Sequence, residues 1–196
     1  VPTDAICHLR SPFGALLSSL THFRSSKSAE GTAPVPVICL GNLVMGGAGK
    51  TLVGLNLIQQ LKTAGYTPHV IIRGYGGSLT GPAQVDAQNH RHHDVGDEAL
   101  LYAAITPTWM GANRVASAKS AANAVADIIL MDDGVQKPSL AKTLSLLVFD
   151  GSYGIGNGYG FPAGPMREFL GPGIKRADAV IGISQLPQTI LTAANG

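Results

Sequence analysis

The sequence contains few cysteines, few charged residues and no long apolar run. Only 2 of its 196 residues are cysteine, and only 13% are Asp, Glu, Lys or Arg. Cys39 falls inside an apolar segment, where a buried free thiol is the ordinary outcome, so a reducing compartment is the simpler inference. A formal net charge of +2 argues against a protein that binds nucleic acid by general electrostatics. These properties suit a compact domain with an apolar core.

No stretch is long and apolar enough to span a bilayer, and the first residues lack the order of a secretory signal. Residues 1–30 nevertheless predict an amphipathic helix, with Ser11 and Pro12 suited to its first turn. Its apolar face and basic flanks comprise Phe13, Leu16, Leu17, Leu20 and Phe23 with Arg10, Arg24 and Lys27. Periodicity alone leaves two placements open, in a membrane interface or against the domain's own surface.

The most informative segment is an apolar run, residues 35–40, that breaks into a glycine-rich loop. The loop closes with Gly46, Gly47, Ala48, Gly49, Lys50 and Thr51. Backbone N–H groups of such a loop surround phosphates, the lysine reaches the β and γ oxygens, and the threonine hydroxyl ligates Mg²⁺ where a helix begins. That helix is predicted from Leu52, Leu55, Ile58 and Leu61 at helical spacing, with Gly65 as its C-terminal cap. Val44 stands where the strict loop pattern has glycine, so the entry turn must differ.

Further strands are predicted along the rest of the chain. The strand signals lie at 69–72, 108–110, 127–131, 143–149 and 179–183. Helices are predicted at 94–104 and 113–126, and residues 78–93 are predicted to be loop. About six strands alternating with helices predict one α/β domain with a doubly wound, mostly parallel sheet of the P-loop NTPase type, flanked by helices. Ligands of such sheets bind beyond the carboxyl ends of the strands, where the loops from Gly41, Arg73 and Asp132 are expected to converge.

Two acidic pairs are candidates for the chemistry. Asp132 and Asp133 end a buried strand, which is where phosphoryl-transfer sites of the phosphate-loop class place an acid for Mg²⁺. Asp97 and Glu98 lie near the start of a predicted helix, and the residues alone leave them open as helix-dipole partners or as site acids.

Two further clusters have more than one interpretation. Arg167 and Glu168 follow a loop rich in proline and glycine, so Arg167 is either a phosphate clamp or half of a surface ion pair. His90, His92 and His93 stand almost side by side in a polar loop. They lack the helical spacing of a zinc site, which disfavours a metal there.

Five motifs occur in the order and spacing of one family. They are residues 41–51, 73–77, 95–98, 132–136 and 162–168. Together they resemble tetraacyldisaccharide 4'-kinase of lipid A biosynthesis, from about residue 34 to residue 184. The resemblance implies transfer of the γ-phosphate of ATP to the 4'-hydroxyl of a tetraacyldisaccharide 1-phosphate, giving lipid IVA. It further implies peripheral association with the cytoplasmic face of the bacterial inner membrane through the N-terminal helix, no nucleic-acid ligand and no obligate protein partner.

The same resemblance implies roles for individual residues. Lys50 and the glycine-rich loop would bind the ATP phosphates, while Thr51, Asp132 and Asp133 would hold Mg²⁺. Asp97 would be the catalytic base, with Lys50 and Glu98 also catalytic. The substrate side would be lined by Tyr75, Arg114, Gln136, Arg167 and Glu168. The chain departs from the family pattern at Leu52, Ala99, Val135 and Phe169.

The family resemblance implies two α/β lobes with the active site between them. Residues 1–30 would form the membrane-associating region, residues 31–184 the P-loop kinase domain, and residues 185–196 the start of a second lobe that is largely absent from this chain. No residue is assignable to the histidine expected to pair with the base. Two other classes stay open, a nucleotide-switch ATPase, which usually has lysine where Met45 stands, and an ATP-binding lobe that transfers nothing without its partner lobe.

Overall fold

A computed structural model describes residues 29–46 and 48–195, together with Ala15 and Ser19. Its strands are β1 (Val37–Gly41), β2 (Pro68–Ile72), β3 (Ala83–Gln84), β4 (Thr108–Met110), β5 (Ile128–Asp132), β6 (Leu144–Asp150) and β7 (Ala179–Ile183). Its helices are α1 (Lys50–Thr63), α2 (His92–Val95), α3 (Asp97–Ala103), α4 (Arg114–Asn123), α5 (Leu170–Ile174) and α6 (Gln188–Asn195). The apolar face predicted for the N-terminal helix, Cys7 and Gly47 lie outside the described residues. Within the described ranges, no helix has the length and apolar character needed to cross a membrane.

The strands form one sheet of 7 strands in the order β3-β4-β2-β5-β1-β6-β7. Every pairing is parallel except that of β3 with β4. Strand order runs from β1 through β5 and β2 in one direction and through β6 and β7 in the other, so the loop after β1 lies at the switch point of the sheet. This confirms the predicted doubly wound α/β fold and places the carboxyl ends of β1, β5 and β6 side by side.

Two apolar cores, one on each face, bury the sheet. In β1, Val37 and Cys39 belong to one core, whereas Ile38 and Leu40 belong to the other. Successive strand residues point to opposite faces, so a strand covered on both sides is apolar throughout, as β1 and β5 are. Burial raises the pKa of the Cys39 thiol to about 11, which keeps it protonated and inert at neutral pH.

The region predicted as loop and then as one helix, residues 78–104, differs in detail. It contains a short strand, β3, paired antiparallel at the sheet edge, which makes seven strands rather than about six. The single helix predicted from Asp94 is wrong, because Gly96 separates α2 from α3 with φ 84°. A Cβ at Gly96 would lie 2.8 Å from the Tyr75 carbonyl oxygen, so only glycine allows this turn.

Two other helices also differ from their predictions. In α1, Ile58 is fully buried, whereas Leu52, which was expected on the buried face, is 64% exposed. α4 ends at Asn123 rather than near residue 126, because Val125 adopts a left-handed φ of 64°. The predicted cap at Gly65 is confirmed by its φ of 89° and by its N–H donating to the Lys62 carbonyl at 3.0 Å.

The last helix, α6, packs against the same domain. Ile190 is fully buried in the core that also contains Val37 and Phe149. Leu186 and Ala193 lie against this core from the same segment. The domain boundary expected at residue 185 stays a prediction. The segment after residue 185 contributes to the core that contains Val37 and Phe149.

Candidate functional site

The phosphate loop (residues 41–51) connects β1 to α1 at the switch point of the sheet. Gly49 directly precedes α1 with φ 70°, and a Cβ there would lie 2.1 Å from the Ile183 Cδ1 atom of β7. The N-cap residue Gly49 has no side chain to cap α1, which leaves the first N–H groups and the helix dipole available to an anion. The local geometry therefore fits the anion-binding loop that the sequence predicts.

The entry of the loop is shaped by a segment from elsewhere in the chain. Val44 forms an isolated antiparallel bridge with Met166, the Arg167 N–H donates to the Leu43 carbonyl at 2.8 Å, and the Met45 N–H donates to the Pro165 carbonyl at 2.7 Å. Strand-like pairing replaces the tight turn that a glycine would make. The departure at Val44 thus has a structural reason.

Lys50 is the cation at the centre of the site. It is only 8% exposed, and its Nζ lies 3.3 Å from Asn42 Oδ1 and 3.7 Å from Asp133 Oδ1. Asn42 in turn donates its side-chain amide to the Val44 carbonyl at 2.7 Å and to the Gly46 carbonyl at 3.3 Å. The asparagine therefore orders both the loop and the lysine.

Asp132 is the buried acid at the end of β5. Its side chain is fully buried, and neither carboxylate oxygen has a hydrogen-bond partner among the described residues. Burial raises the pKa of Asp132 to about 6, although Lys50 acts in the opposite direction; Glu98 adds to the rise. The Tyr102 hydroxyl interacts with this carboxyl without full hydrogen-bond geometry. A buried carboxylate left without donors is suited to ligate a hard divalent cation.

Asp133, the next residue, has two cationic neighbours. Arg167 Nη1 donates to both of its carboxylate oxygens, at 3.1 and 3.2 Å, and Lys50 approaches from the other side. Partial burial opposes ionisation, but Lys50 and Arg167 outweigh it and lower the pKa of Asp133. Its backbone has φ 53°, a left-handed conformation that aspartate tolerates better than most residues. Arg167 is thus an ion-pair partner inside the site.

Two more predicted residues support the same strand ends. Arg114, only 6% exposed, donates from Nη2 to the Asp132 carbonyl at 2.9 Å, and burial lowers the pKa of its guanidinium. Gln136 donates from Nε2 to the Asn42 carbonyl at 2.7 Å. Both side chains hold backbone atoms next to Lys50 and Asp132, so each contributes to the architecture of the site.

The acids of α3 approach the start of α1. The Thr51 hydroxyl donates to Glu98 Oε1 at 3.5 Å, and Asp97 is the exposed first residue of α3. Sequence alone left these acids open as helix-end residues. The structure brings Glu98 to the phosphate loop, and Asp97 is its exposed neighbour in the chain.

A cavity of about 280 Å³ adjoins the turn at Gly96. Arg73, Tyr75 and Gly77 line it, together with residues 79–81 and Ala112. Tyr75 is 88% exposed, and its carbonyl contacts the turn that precedes α3. Thus the predicted Tyr75 loop lies next to Asp97 and borders a space open to solvent.

A second cavity, of about 230 Å³, opens on the other side of the phosphate loop. It is lined by Val44, Met45, Gly46, Ala48, Asp150, Tyr153 and Gly154. Asp150, the last residue of β6, and Tyr153, in the loop after it, were not singled out by sequence reasoning. The signal available was the position of Asp150 at the carboxyl end of a strand.

Two other side chains of the site were not predicted from the sequence, and a third has a different environment from the one predicted. Asn42 and Tyr102 are fully buried, and the only sequence signal was that a polar group in an apolar segment needs a partner. Glu168, predicted to line the substrate side, is fully buried and forms an ion pair with Arg176. Its predicted substrate role stays untested.

The histidine loop makes local contacts. The Asp86 N–H donates to His90 Nδ1 at 3.1 Å, and His93 lies 3.2 Å from Asp94. The described part of the chain contains no group of three or more His, Cys, Asp or Glu side chains placed to hold a metal.

Replacing Asp132 with asparagine is expected to stabilise the ligand-free protein above pH 6. The folded-state pKa is about 6 against an ordinary value of 3.8, so the folded state binds more protons between these values. The protonated Asp132 makes its full contribution to the free energy of unfolding below about pH 4, and this contribution is lost as the pH rises through 6. Asparagine stays neutral, so the free energy of unfolding of the variant exceeds that of the unmodified protein by about 1–3 kcal/mol at pH 8. The difference vanishes below pH 4.

Urea unfolding at a series of pH values, without nucleotide or Mg²⁺, measures this difference. The matched control is Glu30→Gln, which neutralises an exposed carboxylate and should leave stability unchanged. A less stable Asp132→Asn at pH 8 would show that attraction between Asp132 and Lys50 exceeds the cost of burial.

Comparison with known proteins agrees with this geometry. Residues 7–194 match the family model of tetraacyldisaccharide-1-P 4'-kinase. The chain is 49% identical over 173 residues to a tetraacyldisaccharide 4'-kinase of Rhodospirillum centenum, covering 88% of this chain and 51% of the relative. It is 47% identical over 182 residues to that of Paramagnetospirillum magneticum, covering 93% of this chain and 56% of the relative. It therefore spans about half the length of the curated relatives it matches.

One solved structure is also similar. It is the "apo" form of LpxK from Aquifex aeolicus in complex with ATP, with a TM-score of 0.79 and 27% sequence identity. The match covers 91% of this chain and 59% of that one. Since the family model matches nearly the whole chain and the fold agrees, this chain belongs to the tetraacyldisaccharide 4'-kinase family.

Proposed function

We propose that the protein carrying this chain transfers the γ-phosphate of ATP to the 4'-hydroxyl of a tetraacyldisaccharide 1-phosphate, forming lipid IVA. The observation that carries the proposal is the convergence of Lys50, Asp133 and Glu98 on the phosphate loop at one edge of the sheet. The names of the relatives support the reaction class. Because the chain spans about half their length, the reaction is proposed for the full-length gene product.

In this reaction the phosphate loop binds the triphosphate. The backbone N–H groups at the start of α1 and the Lys50 ammonium neutralise the charge on the β- and γ-phosphates. The cavity beside Asp150 and Tyr153 continues from the loop and offers room for the remainder of the nucleotide. Lys50 lies near carboxylates, and a bound triphosphate would compete with them for the Lys50 ammonium.

The residues at the end of β5 fit a magnesium ion. Mg²⁺ takes one or two carboxylates together with phosphate oxygens and waters, and Asp132 has two buried oxygens without a donor. Thr51 and Asp133 would complete the protein's contribution. The ion would balance the charge of the phosphates, while Arg114 and Gln136 keep the surrounding backbone in place.

Asp97 is proposed as the base. It would accept the proton of the 4'-hydroxyl as that oxygen attacks the γ-phosphorus and the bond to the bridging β–γ oxygen breaks, releasing ADP. Its exposed position at the start of α3, beside the Tyr75 cavity, supports this assignment. Glu98, which accepts from Thr51, belongs to the nucleotide side, and Arg167 aligns Asp133.

Acceptor-dependent ADP formation tests the function. The full-length gene product should release ADP only when a tetraacyldisaccharide 1-phosphate is present, and mass spectrometry should detect a product heavier by one phosphate. A nucleotide-switch ATPase would instead hydrolyse ATP without acceptor. An inactive lobe would bind ATP and release no ADP under either condition.

Peripheral attachment to the cytoplasmic face of the inner membrane is proposed for the N-terminal helix. Replacing Leu16 and Leu20 with glutamate should release the protein from anionic vesicles, because interfacial binding scales with buried apolar area. Sedimentation with vesicles measures it. The matched control is Ala15→Glu with Ser19→Glu, which adds the same charges at the same spacing and retains both leucines. Equal binding by the leucine variant and the unmodified protein would exclude the attachment.

A further inference from the structure

The phosphate loop is braced by a second segment, residues 160–168, which we call the bracing segment. Three of its backbone contacts, from Pro165, Met166 and Arg167, reach the loop entry at residues 43–45. The same segment aims Arg167 at Asp133, where Nη1 donates to both carboxylate oxygens. Both the shape of the loop entry and the charge balance at the end of β5 therefore depend on where the bracing segment lies.

The bracing segment ends in a buried charge. Glu168 is fully buried, and its Oε2 accepts from Arg176 Nη2. Arg176 lies just after α5 and also donates from Nη1 to the Pro172 carbonyl at 3.0 Å, so its fork joins the segment to α5. Lys142 is electrostatically coupled to both members of the pair. Planar guanidinium groups make such two-point contacts, whereas lysine does not.

We propose that Arg176 is a positioning residue for ATP binding, acting through Glu168 to hold the bracing segment against the phosphate loop. The inference rests on the proposed function in taking MgATP as the ligand. Glu168 immediately follows Arg167, so a shift of the buried carboxylate moves the guanidinium that faces Asp133 and the backbone that pairs with residues 43–45. A buried carboxylate that loses its cation moves toward water, since an unpaired charge is costly to bury.

The test compares MgATP affinity, measured by calorimetric titration of the full-length gene product, with melting temperature. Arg176→Met should weaken MgATP binding by about 10- to 100-fold, the usual range for residues that orient a binding group. Arg176→Lys retains the charge but loses the two-point contact, so its affinity should fall between those of Arg176→Met and the unmodified protein. This second variant also keeps the test decisive if Arg176→Met fails to fold.

A double-mutant cycle shows whether the effect passes through Glu168. In a Glu168→Gln background, Arg176→Met should change the affinity little further, because the shared contact is already weakened. The matched control is Val70→Ala, a cavity in the opposite core that lowers stability without touching the bracing segment. It should lower the melting temperature and leave MgATP affinity unchanged.

The outcomes separate the two ideas. An unmodified full-length protein that does not bind MgATP contradicts the proposed function and, with it, this inference. An unmodified full-length protein that binds, with equal affinity in Arg176→Met despite a lower melting temperature, contradicts only the positioning role. Additive losses in the double-mutant cycle do so as well, because they mean that Arg176 does not act through Glu168.

Discussion

Replacing Lys50 with alanine is expected to reduce phosphoryl transfer by at least about 10³-fold, with the fold intact. Lys50 is the one charged residue of the phosphate loop, its Nζ lies 3.7 Å from Asp133 Oδ1, and Asp132 and Glu98 add negative charge around it. Without the ammonium, less positive charge would offset the repulsion between the triphosphate and these carboxylates. The loss therefore falls on both nucleotide affinity and the transition state.

Acceptor-dependent turnover of the full-length gene product, with circular dichroism for the fold, measures this result. Lys62→Ala is the matched control, because Lys62 lies in the last turn of the same helix and its ammonium donates to the Ile105 carbonyl. It should retain turnover. If Lys50→Ala keeps its activity within a few-fold, the loop has a structural role and not a catalytic one.

Asp97→Asn is expected to lower turnover by about 10²- to 10⁴-fold while barely changing MgATP affinity. An amide cannot accept the proton of the attacking hydroxyl, whereas the hydrogen bond to Thr51 of the phosphate loop is made by Glu98 and stays intact. A helix-end acid without a catalytic role behaves differently. Its loss costs roughly 0.3–1 kcal/mol of stability and leaves turnover nearly unchanged.

Steady-state kinetics in the full-length gene product separate these cases. Asp94→Asn serves as the matched control, because Asp94 belongs to the neighbouring short helix and its carboxylate accepts from the Arg91 N–H at 2.8 Å. It should lower the melting temperature and retain turnover. Near-normal turnover of Asp97→Asn with a similar drop in melting temperature would refute the assignment of the base.

Part of the site was predictable because it is local in sequence. The strand, loop and helix around Lys50 are consecutive, and hydrophobic periodicity with glycine placement was enough to predict them. Asp132 at the end of β5 follows from the same reasoning. The break between α2 and α3 was not predicted, since the Gly96 turn depends on a close approach to the Tyr75 carbonyl from a distant loop.

The sequence by itself determined the α/β class, the buried strands and the position of the phosphate loop, because these follow from apolar patterning and from glycines over short ranges. Only the tertiary structure decided which charges meet. Arg167 faces Asp133 although 34 residues separate them, and Glu168 lies fully buried beside Arg176. Ion pairing depends on distances that the sheet order sets between loops far apart in the chain. Periodicity carries no information about such distances.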